Sequence, residues 1–215
     1  MHVLCTGRCL KQFRHAPVTL LQCAGPSLAA MERRLAPAKV LVAIAWLDQA
    51  ELNACRAFNR SVRRAGLLRL FRIASRLGDG VLWYGLMGLL AVAGGAAGRT
   101  TALQCAVAGV IGLGIYRGLK NVLVRERPYM THSAIVCAGR PLDRFSFPSG
   151  HTLHAVCFTI IICAGLPWAV FVLAPVALLI ALSRMVLGLH YPTDVVAGGL
   201  LGAGIALATL AMAGA

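Results

Sequence analysis

The chain has 215 residues, of which 59% are hydrophobic and 13% are charged. This charged share is about half of the share usual in soluble domains, which excludes a water-soluble globular protein. Between Phe145 and Ala215 the only formally charged side chains are Arg184 and Asp194. The composition therefore predicts an integral membrane protein with one helical domain.

The charge of the chain is strongly positive. Lysine and arginine outnumber the acidic residues by 21 to 7, which gives a formal net charge of +14. Such an excess suits either nucleic acid or a membrane, because basic residues flank apolar spans on one side of a bilayer. The long apolar runs favour the membrane, and we expect no nucleic-acid partner.

The cysteines are scattered along the chain without a CxxC pair, at positions 5, 9, 23, 55, 105, 137, 157 and 163. Several fall inside apolar runs, where cysteine behaves as a small hydrophobic residue. We therefore expect neither a disulfide framework nor a zinc site.

Residues 1–37 are mixed and basic, and we expect a poorly ordered N-terminal segment there. The apolar patch PVTLLQCAG within this segment resembles a weak signal sequence, but no convincing cleavage site follows it. An upstream start codon is the favoured alternative, with Met31 as the working start.

Residues 38–77 are expected to form an amphipathic, interfacial helical region. The first part has only eight consecutive apolar positions before Asp48, too few to cross a bilayer. The second part, residues 56–76, has seven arginines, no acid, and apolar residues at helical spacing. This pattern indicates a helix that lies along anionic headgroups.

Residues 78–215 are expected to form the transmembrane core. Apolar runs predict membrane spans at residues 80–98, 102–123, 151–167, 168–189 and 193–213. GxxxG spacing lets helices approach closely in lipid. It occurs in two pairs, Gly114 with Gly118 and Gly198 with Gly202.

Three polar clusters lie at the ends of these spans: LKNVLVRERPYM, RFSFPSGH and LGLHYPTD. Counting the membrane crossings places all three clusters on one membrane face. Segments that are far apart in the sequence are therefore expected to converge at one end of the helical bundle.

The third cluster contains an imidazole and a carboxylate one helical turn apart, His190 and Asp194. A carboxylate that accepts from one ring nitrogen leaves the other nitrogen free as a nucleophile or base. Pro192 suits the first turn of a helix, so Asp194 is expected near the positive start of the last span. A simple helix cap is the alternative role for Asp194.

Further charged and polar residues surround this pair in the predicted arrangement. Placing a charged side chain near mid-bilayer costs about 2.5–3.5 kcal/mol of insertion free energy, so charged side chains in apolar spans indicate a functional role. The candidates are Lys120, Arg127, Arg184, Ser149, Gly150 and His151. They suit a phosphate, which needs charge neutralisation and several donors, some of them N–H groups at a helix start. Arg117 and Arg125 are interpreted instead as side chains that reach for headgroups.

These residues stand in three blocks: Lys120-x6-Arg127-Pro128, Pro148-Ser149-Gly150-His151 and Ser183-Arg184-x5-His190-x3-Asp194. In order and spacing the blocks resemble the tripartite signature of the type 2 phosphatidic acid phosphatase superfamily, which is shared with bacterial acid phosphatases and vanadium haloperoxidases. The resemblance covers about residues 78–205. It implies an all-α, polytopic transmembrane bundle of five to six spans.

The resemblance also implies a role for each residue. His190 would attack phosphorus to form a phosphohistidine, and Asp194 would orient it. His151 would protonate the leaving group, and water would then hydrolyse the intermediate. The phosphoryl oxygens would be held by Lys120, Arg127, Arg184, Ser149 and Gly150. No metal and no cofactor are implied, since the three cations neutralise the phosphate.

Other interpretations of the same residues remain open. A metal-dependent hydrolase would use His151, His154, His190 and Asp194, but HxxH lacks the glutamate of HExxH. A serine nucleophile at Ser149 is another alternative, although FPSGH is not a GxSxG elbow. Enzymes that carry out vanadate-dependent halide oxidation share the site pattern, but the known ones are soluble. His154 is expected to be a hydrogen-bonded packing residue rather than a substrate contact.

The sequence therefore predicts an integral membrane lipid phosphatase that acts on a polyprenyl or glycerolipid phosphate or diphosphate. A membrane protein that binds or transports anionic lipid without catalysis is the alternative, which explains the arginine-rich helix but not the paired histidines. A bacterial inner membrane is expected, with the site on its cytoplasmic face by the positive-inside rule. The expected partners are the lipid substrate and the bilayer, and the oligomeric state is left open.

Overall fold

The computed structural model describes residues 38–214 of the chain. The predicted N-terminal segment, residues 1–37, lies outside the described residues, and so do the signal-like patch and the alternative start. The chain divides into two compact units, residues 1–50 and residues 51–215. The described part of the first unit is helical, and the second unit contains every residue of the predicted site.

The described residues form helices and no strand. In chain order the helices are α1 (Ala38–Asn59), α2 (Ala65–Arg76), α3 (Leu82–Ala93), α4 (Gly95–Val122), α5 (Pro128–Thr131), α6 (Gly150–Gly165), α7 (Val170–Val186) and α8 (Pro192–Met212). Short connecting turns are 3-10 helical at Arg60–Arg63 and Pro167–Ala169 and π-helical at Leu77–Val81. The all-α prediction is confirmed.

Within the described chain, three helical stretches are long and apolar enough to cross a membrane: Gly95–Val122, Pro167–Val186 and Pro192–Met212. Helix α6 is apolar but has only 16 residues. At ~1.5 Å per residue it is roughly 24 Å long, shorter than a typical hydrocarbon core of ~30 Å. Helix α3 is shorter still, with 12 residues. The predicted count of five to six spans is therefore not confirmed.

Helix α6 lies at the centre of the bundle, where α4, α7 and α8 pack around it. Its buried side chains include Leu153, Phe158 and Ile161, which form the middle of the main hydrophobic cluster. The residues that precede and begin this helix are those of the predicted PSGH block. Burial of α6 on several sides therefore fixes the position of that block.

Two glycines allow α8 to lie directly against α6. A Cβ atom at Gly202 would lie 2.2 Å from the carbonyl oxygen of Leu153, and one at Gly198 would lie 2.5 Å from that of Ser149. Real Cβ atoms do not approach so closely, so glycine is required at both positions. The close approach predicted for this GxxxG pair is confirmed.

The other GxxxG pair does not have this function within the described chain. A Cβ atom at Gly114 or Gly118 would meet no described atom within 4 Å. The spacing alone did not distinguish a packed glycine pair from an exposed one.

Asn59, the last residue of α1, ties three segments together near the predicted site. Its Nδ2 donates to the carbonyl oxygens of Val136 and Val186, both at 2.9 Å, and its Oδ1 accepts from the backbone N–H of Val136 at 2.9 Å. The side chain is 6% exposed. These bonds hold the loop after α5 against the end of α7, next to the turn that carries His190.

Candidate active site

A cavity of about 410 Å³ lies among α3, α4, α6 and α7. One end of it is polar and is lined by Asp79, Lys120, Arg127, Asp143, Gly150, His151, Arg184 and His190. The remainder is mainly apolar and is lined by residues such as Trp83, Met87, Val110, Leu113 and Phe158. A charged end joined to an apolar body matches the shape of a lipid with a charged headgroup.

Three cations are almost completely buried at the polar end. Lys120 lies near the end of α4, Arg127 precedes α5, and Arg184 lies in the last turn of α7. Their exposed fractions are 7%, 1% and 1%. Buried charges are costly unless they are paired, so three cations in one cavity create a site that favours an anion. The structure thus brings the predicted phosphate-binding cations together.

Asp143 partly neutralises two of these cations. Lys120 Nζ donates to both of its carboxylate oxygens, at 2.7 and 2.6 Å, and Arg127 Nη2 donates to Oδ1 at 2.8 Å. Burial raises the pKa of Asp143, but the hydrogen bonds and charges of Lys120 and Arg127 outweigh burial and hold that pKa below its ordinary value. Asp143 is absent from the predicted site, because it stands in a polar loop without a recognisable motif.

Arg184 keeps more of its donors open than the other two cations do. Its Nη1 donates to Ser75 Oγ at 2.6 Å, and its Nε has no partner among the described residues. A buried guanidinium with an unpaired N–H loses hydration without recovering a hydrogen bond. A phosphoryl oxygen in the cavity would supply that acceptor.

His190 lies in the turn between α7 and α8 and is 2% exposed. Arg127 Nη1 lies 3.3 Å from its Nε2. A guanidinium can only donate, so Nε2 is the acceptor and the ring proton of the neutral imidazole is on Nδ1. Burial, followed by the charges of Arg127 and Arg184, lowers the pKa of His190 well below its ordinary value. The ring is therefore neutral at pH 7, and the lone pair on Nε2 faces Arg127 at the cavity.

Asp194 lies beneath His190 in the first turn of α8 and is fully buried. Its Oδ2 is 3.6 Å from His190 Nδ1 and accepts from the backbone N–H of Tyr191 at 2.8 Å. The predicted pair is adjacent, but 3.6 Å is longer than a hydrogen bond, and His190 Nδ1 has no hydrogen-bond partner among the described residues. Catalytic hydrogen bonds are often long without substrate and shorten when substrate binds.

The prediction that Arg125 reaches for headgroups is wrong. Its Nη1 donates to Asp194 Oδ1 at 2.8 Å, and its Nη2 donates to Glu51 Oε2 at 2.5 Å. The guanidinium also lies 4.0 Å from the centre of the Tyr191 ring. Glu51 in turn accepts from the backbone N–H and the hydroxyl of Thr193. Arg125 therefore supports the buried carboxylate that faces His190.

His151, in the first turn of α6, faces the cavity from the side of the π-helical turn. Its Nε2 lies 2.6 Å from Asp79 Oδ1. This hydrogen bond is the largest influence on Asp79 and lowers the pKa of that carboxyl below its ordinary value. The predicted acid and the predicted nucleophile, His190, line the same end of one cavity.

The two remaining predicted phosphate ligands differ in their placement. Gly150 lines the cavity, whereas Ser149 is fully buried and is not part of its lining. Ser149 Oγ lies 3.0 Å from Thr152 Oγ1, and the backbone N–H of Ser149 donates to the carbonyl oxygen of Asp194 at 3.0 Å. The hydroxyl and the backbone N–H of Ser149 thus both have protein partners, and its expected contact with phosphate stays a prediction.

His154 lies one turn deeper in α6 and also lines the cavity. Its Nδ1 is 2.9 Å from the carbonyl oxygen of Gly150, and its Nε2 is 3.3 Å from that of Gly109. Its ring centre is 5.5 Å from that of Phe158. His154 is thus hydrogen-bonded and packed, as expected. The described residues contain no cluster of three or more His, Cys, Asp or Glu side chains that could hold a metal ion.

A family model described as the PAP2 superfamily matches residues 98–215, more than half of the chain. The chain belongs to this superfamily. The matched region includes all three blocks of the signature and all of the predicted site residues. The resemblance seen in the sequence is confirmed.

Curated relatives include two mycobacterial proteins named decaprenylphosphoryl-5-phosphoribose phosphatase. The one from Mycobacterium tuberculosis is 31% identical over 144 residues, 66% of this chain and 78% of the relative. The one from Mycolicibacterium smegmatis is 42% identical over 83 residues, 37% of this chain and 42% of the relative. An undecaprenyl-diphosphatase from Sulfolobus acidocaldarius is 29% identical over 50% of this chain and 52% of that protein.

Two solved structures share the fold. The PAP2-type phosphatidylglycerolphosphate phosphatase from Bacillus subtilis has a TM-score of 0.63 at 23% identity and covers 78% of this chain and 86% of its own. LpxE from Aquifex aeolicus has a TM-score of 0.65 at 26% identity and covers 74% of this chain and 94% of its own. The chain is an integral membrane protein and a lipid phosphatase of the PAP2 superfamily, as predicted.

Proposed function

We propose that this PAP2 phosphatase removes phosphate from a polyprenyl lipid in a bacterial inner membrane, through a phosphohistidine at His190. The main support is the cavity itself, because a neutral imidazole and three buried cations line one end of a mainly apolar space. The cations suit a phosphoryl group, and the apolar body suits the lipid chain attached to it.

Binding places the phosphoryl group between the cations and the imidazole. Arg184 has an unpaired Nε. Lys120 and Arg127 are paired with the carboxylate of Asp143, and a more highly charged phosphate can displace this carboxylate or share the two cations with it. Charge on the phosphoryl oxygens is then neutralised by side chains whose positions are already fixed, which supplies most of what phosphoryl transfer requires.

His190 Nε2 attacks phosphorus, so that an N–P bond forms and the bond from phosphorus to the ester oxygen breaks. The low pKa of His190 keeps Nε2 unprotonated at neutral pH, and its lone pair is released for this step when Arg127 Nη1 donates to the phosphoryl group instead. Asp194 accepts a hydrogen bond from Nδ1–H, which stays on the ring, and stabilises the positive charge that develops there. Arg125 holds the carboxylate in place from the opposite side.

His151 enters the step as the imidazolium and donates a proton to the departing ester oxygen, because an alkoxide is a poor leaving group at neutral pH. In the second step the same residue accepts a proton from water, which attacks phosphorus and breaks the N–P bond. The products are the dephosphorylated lipid and inorganic phosphate, and both histidines return to their starting states.

The polyprenyl class is favoured by the names of the curated relatives, which act on decaprenylphosphoryl-5-phosphoribose or on undecaprenyl diphosphate. Glycerolipid phosphates are the competing class. The apolar lining of the cavity accepts a hydrocarbon chain of either kind.

Phosphate release from purified protein in detergent, with EDTA present, tests the proposal. Polyprenyl-linked phosphates and glycerolipid phosphates are compared at equal concentrations. We expect release from the polyprenyl substrates at a rate at least about tenfold higher, a difference of ~1.4 kcal/mol in transition-state binding. Equal or reversed rates would contradict the polyprenyl assignment, and loss of release with EDTA would contradict the metal-free mechanism.

The variant His190→Ala separates the enzyme from a protein that only binds anionic lipid. The proposed chemistry requires the variant to lose phosphate release while it still binds the lipid phosphate through the three cations. Unchanged phosphate release by the variant would contradict His190 as the nucleophile.

A further inference from the structure

The π-helical turn between α2 and α3 brings an acid to His151 that belongs to none of the three signature blocks. Asp79 Oδ1 lies 2.6 Å from His151 Nε2, across a separation of 72 residues in the chain. The carboxylate is 42% exposed, whereas the imidazole is 8% exposed. Both residues line the polar end of the cavity.

The two glycines that flank Asp79 allow the turn to approach the imidazole. A Cβ atom at Gly78 would lie 2.9 Å from His151 Cδ2 and 2.8 Å from Ile180 Cγ2, so the backbone passes directly against the ring. Gly80 has a φ of 118°, which side chains larger than hydrogen rarely tolerate. The local sequence Gly-Asp-Gly is therefore adapted to placing a carboxylate at this ring.

A carboxylate that holds one ring nitrogen fixes the orientation and the tautomer of an imidazole. Here the carboxylate accepts from Nε2–H, so Nδ1 is the remaining ring nitrogen, and it carries a proton only when the ring is the imidazolium. Burial and the nearby charge of Arg184 both disfavour a protonated ring in this cavity, and the negative charge of Asp79 opposes them in part. The arrangement parallels that of His190, whose Nδ1 faces Asp194 while its Nε2 faces the cavity.

We propose that Asp79 is a positioning residue for general acid catalysis: it orients His151 and its negative charge stabilises the imidazolium, whose Nδ1–H protonates the ester oxygen that leaves. This inference rests on the proposed function, because it assigns a partner to the acid of that mechanism. Asp79 itself does not touch the reacting atoms. Its effect is therefore confined to substrates whose leaving group needs a proton.

Two phosphate esters with tails of the same length test this role. One is an alkyl phosphate, whose alkoxide needs a proton to leave, and the other is a nitrophenyl phosphate, whose phenolate leaves without one. We expect Asp79→Asn to lower kcat/KM for the alkyl ester about 100-fold, and for the nitrophenyl ester less than about threefold, in keeping with the usual contribution of a general acid. Asp79→Glu, which retains a carboxylate, should recover part of the alkyl rate.

His151→Gln should show the same selective loss, and the double variant Asp79→Asn/His151→Gln should lose no more than His151→Gln alone, since both act in one proton transfer. Asp143→Asn is the matched control, because it removes the other acid of the cavity from Lys120 and Arg127 rather than from an imidazole. We expect it to change kcat/KM of both esters by the same factor.

Equal losses on the two esters with Asp79→Asn, or no loss on the alkyl ester, would overturn the assignment of Asp79. An additive double variant would do the same. If the wild-type protein released phosphate from neither of the two esters, the result would instead contradict the proposed function, and with it the role of Asp79.

Discussion

The charged residues at the polar end of the cavity hold one another in place. Asp143 joins Lys120 to Arg127, and Arg127 reaches His190. A second chain of contacts runs from Glu51 through Arg125 to Asp194. Such networks fix the side chains before substrate arrives, which reduces the reorganisation that catalysis would otherwise require.

Single residues differ in how far the sequence predicts them. The histidines and cations stand in short blocks with fixed spacing, so their common site could be predicted. Asp79 and Asp143 could not, because they meet their partners across 72 and 23 residues and no local pattern records such contacts. Arg125 was misinterpreted for the same reason, since an arginine near a span end has the same sequence context whether it faces headgroups or a buried acid.

The depressed pKa of His190 predicts how stability depends on pH. The unfolded chain binds a proton at this residue below about pH 6.5, and the folded chain does not. Stability is therefore lost as the pH falls below that value, by about 2 kcal/mol between pH 7 and pH 5. Thermal unfolding in detergent should show a smaller loss between these two pH values for His190→Gln. An equal loss in both proteins would contradict the neutral, buried imidazole.

Arg125 and Arg117 provide a matched pair, because the sequence suggested a headgroup role for both. Arg125→Met removes the partner of buried Asp194, and we expect kcat to fall by at least about tenfold, as is usual when a buried charge loses its partner. Arg117→Met changes an exposed helix position and should leave kcat within about twofold. Steady-state kinetics of both variants make the comparison, and equal effects would contradict the supporting role of Arg125.

Hydropathy predicted some of the helices but missed others and the break between two of them. The apolar runs correctly indicated the helices that became α4, α7 and α8. The break between α3 and α4 falls at Gly94 and Gly95, inside the predicted span 80–98, because Gly95 adopts a φ of 63°. Apolar composition is unchanged across that turn, so hydropathy cannot locate it. The short helix α5 and the π-helical turn also lie in polar sequence without periodicity.

The close contact of α6 and α8 gives a prediction at the scale of elements. Gly202→Ala would place a methyl group 2.2 Å from the carbonyl oxygen of Leu153, so the two helices must separate. We expect a loss of about 1–3 kcal/mol in stability, typical of overpacking. Gly204→Ala, two residues along, meets no described atom within 4 Å and should be neutral or slightly stabilising. Thermal unfolding of the two variants in detergent compares them, and equal melting temperatures would contradict the packing.

At the scale of the whole molecule, segments distant in sequence meet around one cavity, as the alternation of spans predicted. The arginine-rich helix α2 also lies at this end, since Arg72 Nε donates to the carbonyl oxygen of Ala138 at 2.9 Å and Ser75 contacts Arg184. The positive-inside rule then favours a cytoplasmic site. Counting the spans predicted that the three polar clusters meet at one end of the bundle. The contacts around the cavity could not be predicted in this way, because they depend on side chains in loops.

Sidedness can be tested by fusing alkaline phosphatase, which is active only outside the cytoplasm, after residue 215. Helix α8 begins at the site and leads away from it, so its other end lies on the opposite face. A cytoplasmic site predicts an active fusion in a bacterial host. An inactive fusion that is expressed at the same level would place the site on the outer face.

The central claim is that the phosphoryl group passes through His190. Rapid mixing of the protein with a lipid phosphate labelled at phosphorus, followed by an alkaline quench and peptide mapping, measures this directly. The account predicts transient label on the peptide that contains His190, and no label on His190→Ala. Label on another residue, or phosphate release during turnover with no labelled peptide, would contradict it.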